Sequence, residues 1–75
     1  MTLMWEVRVA PGRLDELVAY VLRHADPAAQ IFRADGPQPR VVVIDPTGQG
    51  VPGVPGELVA RPPHRWEFEA VARDA

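Results

Sequence analysis

The sequence predicts an α+β domain in which one long helix covers a four-stranded antiparallel sheet, in the order β-α-β-β-(short helical turn)-β. Two observations carry that prediction. Gly12 to Asp26 is the only stretch with sustained helical periodicity, its Leu14, Leu17, Val18, Val21, Leu22 and Ala25 forming one apolar stripe. Around it lie four short segments that alternate apolar and polar residues or run in β-branched residues, each bounded by proline or glycine.

The first segment, Leu3 to Ala10, alternates: Trp5, Val7 and Val9 point one way, Met4, Glu6 and Arg8 the other. Pro11-Gly12 ends it and opens the helix, whose first turn carries Asp15 and Glu16 and whose last carries Arg23 and His24, both favourable to the helix dipole. Asp26-Pro27 stops the helix, because a residue before proline avoids the α region. Gln30 to Ala34 reads as a strand, Asp35-Gly36-Pro37 as a turn, and Arg40 to Asp45 as a strand buried on both faces, the two strands making a hairpin.

Residues 46–63 hold five prolines and four glycines, including a twofold Val-Pro-Gly repeat best read as consecutive turns. Within them, Glu57 to Arg61 has length for about one helical turn before Pro62-Pro63. His64 to Val71 alternates again, with Trp66, Phe68 and Ala70 on one side and Arg65, Glu67, Glu69 and Val71 on the other. The whole chain, 1–75, is expected to be a single domain.

Composition removes several function classes. A chain of 75 residues buries only about 60–65% of its unfolded surface, so it gains from a staple or a partner. No cysteine is present, which excludes disulfides and thiolate metal sites, and two histidines make a structural zinc site a poor expectation; neither metal nor cofactor is expected. The absence of Ser, Lys and Cys removes serine and cysteine nucleophiles, Schiff-base lysines and P-loop lysines together. Net charge is −2 without a basic cluster, against nucleic acid as a partner, and no apolar run suits a membrane span. Acidic Glu6 sits where a signal peptide would be apolar, so a cytoplasmic location is expected. All eight basic residues are arginine, a bias resembling that of proteins from GC-rich bacterial genomes.

Strand parity divides the sheet into two faces. The helix is expected to cover Trp5, Val7, Val9, Trp66 and Phe68. The other face would carry Glu6, Arg8, Arg65, Glu67 and Glu69 together with valines of Arg40 to Asp45, and its Glu6, Arg8, Glu67 and Glu69 are the candidate contact surface of a homodimer. For a ligand, Tyr20 and His24 lie four residues apart on the helix flank, where they could relay a proton. The ordinary reading, which we favour, is a boundary tyrosine with its hydroxyl in water and a histidine bonding the last helical carbonyls. His64, Arg65 and Trp66 form the other polar-aromatic cluster, suited to a carboxylate or phenolate, though here too we favour the ordinary reading, a strand start after a Pro-Pro turn with the histidine exposed.

An N-terminal strand running into VAPGRLDEL and then an amphipathic helix resembles the dimeric α+β-barrel superfamily, which is ferredoxin-like and includes the antibiotic-biosynthesis-monooxygenase-like proteins. The resemblance covers the first half; in the second, the proline-rich stretch replaces most of the second helix. It implies a ferredoxin-like homodimer and, as one possibility, a cofactor-independent monooxygenase or isomerase acting on an aromatic or polyketide-like compound. No position matches a catalytic motif of that group, and the asparagine of its haem-degrading branch has no counterpart here. The favoured expectation is a small homodimer without its own catalytic machinery, binding through its open sheet face, with a small apolar or aromatic ligand as a further candidate partner.

Overall fold

A computed structural model describes residues 1–73. The chain runs β1 (Thr2–Arg8), α1 (Leu14–His24), β2 (Gln30–Ala34), β3 (Arg40–Asp45), the 3-10 turn η1 (Gly56–Leu58) and β4 (His64–Phe68). The strands form one antiparallel sheet in the order β2-β3-β1-β4, an α+β fold with one α-helix.

β2 and β3 have the expected bounds; the other elements are shorter or shifted, for local reasons. α1 begins at Leu14 rather than Gly12 because Gly12 adopts a φ of +76°, closing a turn with Pro11. It ends at His24, since Ala25 is already extended ahead of Asp26-Pro27. β4 stops at Phe68 instead of Val71, where its ladder ends on Thr2, the first residue of β1. η1 covers Gly56–Leu58, earlier than the expected turn over 57–61.

One face of the sheet meets the helix. Leu3, Trp5, Val7 and Val9 of the β1 side and Val41 and Val43 of β3 pack with Leu17 and Val21 of α1, all buried. Burying each such side chain stabilises by about 1.5–3 kcal/mol relative to exposure. Leu22, expected in the stripe, is 64% exposed, so the buried stripe centres on Leu17 and Val21. The helix packs on β2, β3 and η1 and leaves β4 uncovered. Val51 and Leu58, from the proline-glycine stretch, complete the core where a second helix is missing.

That stretch is held by one carboxylate. Asp45, at the end of β3, is fully buried, and its Oδ1 accepts the Thr47 N–H at 2.8 Å and the Thr47 hydroxyl at 2.6 Å. Its Oδ2 accepts the Gly50 N–H at 2.8 Å. Gly50 must be glycine: its φ is +73°, and a Cβ there would stand 2.8 Å from Leu3 Cδ2. The loop is thereby pressed on Leu3 and Trp5, which explains how Val51 reaches the core.

Burial pushes the Asp45 carboxyl toward a higher pKa, but hydrogen bonds from the Thr47 side chain and the Gly50, Thr47 and Gln49 backbone outweigh it and hold the group below its ordinary 3.8. A depressed folded pKa means that the stabilisation is fully present above the unfolded value and lost as pH falls through the folded one. We expect Asp45→Asn to lose on the order of 2–4 kcal/mol at pH 7, because an amide nitrogen or a weaker acceptor then faces buried N–H donors. Urea unfolding between pH 2 and 7 reads both effects: wild type should weaken below about pH 4, and the variant should show a flatter acid limb.

Candidate functional site

Cross-strand partners share a face, so the strand register states what the uncovered side of the sheet displays. Across it run three rows: Phe32, Val42, Glu6 and His64; Gln30, Ile44, Met4 and Trp66; and, at one end, Ala34, Arg40 and Arg8. Thr2 and Phe68 stand side by side at the opposite end. The open face is therefore apolar through Phe32, Val42, Ile44, Met4, Trp66 and Phe68, with its charges gathered toward one end. Phe32, Trp66 and Phe68 are 52%, 42% and 49% exposed.

Three expectations are corrected here. Trp66 and Phe68 do not lie under the helix; they flank Met4 and Thr2 on the open face. Arg65 and Glu67 take the other side, next to Trp5 and Leu3, so Glu67 lies off the expected contact face, which keeps Glu6 and Arg8. Glu69 lies beyond the end of β4. The third concerns β3, which is not buried on both faces: Val41, Val43 and Asp45 are buried, whereas Arg40, Val42 and Ile44 are half-buried on the open side. Neither parity would bury Trp66 within one chain, because β4 is an edge strand that the single helix does not reach.

The charged end is largely satisfied internally. Arg40 Nη1 donates to Glu6 Oε2 at 2.8 Å, a half-buried ion pair between neighbouring strands, and Arg40 Nη2 donates to Gln38 Oε1 at 3.2 Å. His64 stands beside Glu6 and its ring lies 5.5 Å from that of Trp66.

The five candidate ligand residues do not converge. Tyr20 and His24 belong to the helix, on the covered side; His64 and Trp66 are on the open side, and Arg65 is separated from both by strand alternation. The Tyr20 and His24 rings stack with centroids 4.1 Å apart. The Tyr20 hydroxyl is not left to water: it donates to the Pro52 carbonyl at 3.0 Å and the Gly53 carbonyl at 2.8 Å, latching the Val-Pro-Gly segment to the helix. Among the described residues no hydrogen bond joins His24 to the last helical carbonyls. A tyrosine so engaged is a structural tie, and its single proton is committed to backbone oxygens.

Surface grooves among the described residues include two. One, of about 420 Å³, runs along Val54, Val59, Arg61, Pro62 and Pro63. The other, of about 290 Å³, lies at the end of β1, between the tip of the β2–β3 hairpin and Ala60. Neither is lined by Trp5, Tyr20, His24 or Trp66, the residues that an aromatic pocket between helix and sheet would need. Among the described residues no group of three or more His, Asp or Glu side chains could hold a metal ion, and no helix is long and apolar enough to cross a membrane.

The apolar character of the open face was visible in Arg40 to Asp45, whose consecutive Val-Val-Val-Ile must put apolar side chains on both sides. The contributions of Met4, Phe32, Trp66 and Phe68 needed the register, which no single strand contains. No protein-family model, curated protein sequence or solved structure matches the chain.

The Tyr20 latch makes its own prediction. Tyr20→Phe should cost about 0.5–1.5 kcal/mol while leaving the fold intact. Amide hydrogen exchange should quicken at Gly53 and Val54 and stay unchanged in β1 and β3.

Proposed function

We propose that this protein is a non-catalytic homodimeric module of ferredoxin-like architecture, working through the open face of its sheet, which a second copy covers. The observation that carries the reading is the set of large apolar side chains, Phe32, Met4, Ile44, Trp66 and Phe68, on a face that no described element covers. Exposed apolar patches of this kind mark interaction surfaces. The sheet order, with β1 central between β3 and β4, supports the ferredoxin-like arrangement.

A second copy suits the face better than a partner of opposite charge. At its charged end, Glu6 and Arg40 already neutralise each other within the chain, so like faces meet without leaving that pair uncompensated. Size agrees as well. Four strands and seven residues span about 19 by 24 Å, or about 450 Å² of flat face per copy. Two copies come to about 900 Å² before side-chain relief is counted, close to the roughly 1,000 Å² at which specific association begins.

Sedimentation velocity tests the reading. The wild type should move at twice the 8.3 kDa of one chain. Phe32→Glu, on the open face, should shift it to monomer with an unchanged far-ultraviolet spectrum, and Arg65→Glu, on the other side, should leave the dimer intact. A wild-type monomer up to about 100 μM would contradict it.

A further inference from the structure

The groove of about 290 Å³ at the end of β1 has a chemistry of its own. It is lined by Val9, Pro11, Pro37, Pro39 and Ala60, and its residues with polar side chains are Arg8 and Gln38. The surrounding backbone is already paired: Val9 N–H donates to the Pro39 carbonyl at 3.0 Å and Ala60 N–H to the Arg8 carbonyl at 2.9 Å, which fixes hairpin tip, strand and loop against one another. The groove is thus built on a rigid junction of three segments.

Its two polar side chains are free to donate. Arg8 makes no ion pair among the described residues, unlike its cross-strand neighbour Arg40, whose guanidinium is occupied by Glu6 and Gln38. Gln38 points its oxygen at Arg40, which leaves its amide N–H groups available. Among the described residues no carboxylate lines the groove. An unpaired guanidinium beside an amide donor, framed by proline rings, complements a planar anion attached to a small apolar body.

We propose that this groove binds a small organic monocarboxylate with an aromatic or branched apolar body, its carboxylate on Arg8 and Gln38 and its body against the prolines. The volume stands at the lower end of the roughly 300–1,000 Å³ typical of ligand pockets, so the acid is about the size of a benzoate. The site shares Arg8 with one end of the open face, so a second copy covering that face must leave this end clear; ligand binding is read from amide shifts and dimerisation from sedimentation, so the two readings can fail separately.

The test is a titration of the ¹⁵N-labelled full chain with benzoate, followed by amide chemical shifts. Saturable shifts are expected at Arg8, Val9, Gln38 and Ala60 with Kd of about 1 mM or tighter. Benzamide, the neutral isostere, should bind about tenfold more weakly. Arg8→Gln should weaken benzoate about tenfold, Arg8→Lys should keep part of the affinity, and Arg65→Gln should change nothing. The spectra report folding of each variant directly. Equal binding of benzoate and benzamide, unaltered affinity in Arg8→Gln, or no saturation by about 50 mM would overturn the site. N-acetyl-phenylalanine presents the same groups on a peptide backbone, and binding about tenfold tighter than benzoate would overturn the free acid in favour of a peptide C-terminus.

Discussion

The Asp45 carboxylate is the constraint on which the rest depends. It is a buried charge with no cation beside it among the described residues, stabilised instead by the Thr47 hydroxyl and by N–H groups of its own loop. Such a group is strongly unfavourable unless fully hydrogen-bonded, and among the described residues no buried side-chain nitrogen or oxygen is left without a partner. By curling the chain around Asp45, the loop places Gly50 on Leu3 and sends Val51 into the core. Tyr20 ties down the next turn of the same segment. A chain with one helix closes one sheet face because an irregular stretch supplies the missing cover.

The same economy leaves the other face unfinished. One helix and one loop suffice for a single side of β1 and β3, and no other described element covers Val42, Ile44, Met4 and the aromatic residues opposite. Within one chain these side chains gain little from their positions. The Glu6–Arg40 pair at the charged end of this face then has a reading beyond a weak surface ion pair, since it neutralises charges that a second copy would desolvate. Arg8, directly opposite Arg40 across the strands, lacks such a counterion among the described residues.

Much of the fold was legible in the sequence, and the reasons for the misses are physical. The helix, both hairpin strands and the alternation of β1 follow from periodicity and from Pro and Gly boundaries. Helix ends moved by two residues because a positive-φ glycine and a pre-proline segment act locally. The open-face aromatics were misplaced because alternation gives each strand two faces but not the sign that relates one strand to another. Only the pairing of Met4 with Trp66 supplies that sign. Asp45 was read as part of a strand followed by turns, although D-P-T-G carries the aspartate-turn signature that could have identified it. The groove at Arg8 joins residues from three distant segments, and no local pattern encodes it.

Pairing of two open faces is most directly tested by isotope-filtered nuclear Overhauser spectroscopy on a mixture of labelled and unlabelled chains. Face-to-face association requires intermolecular contacts from the Trp66 indole and the Phe32 and Phe68 rings to Met4, Val42 or Ile44 of the other copy. Intermolecular signals confined to the helix or to the outer edges of β2 and β4, or none at millimolar concentration, would contradict it.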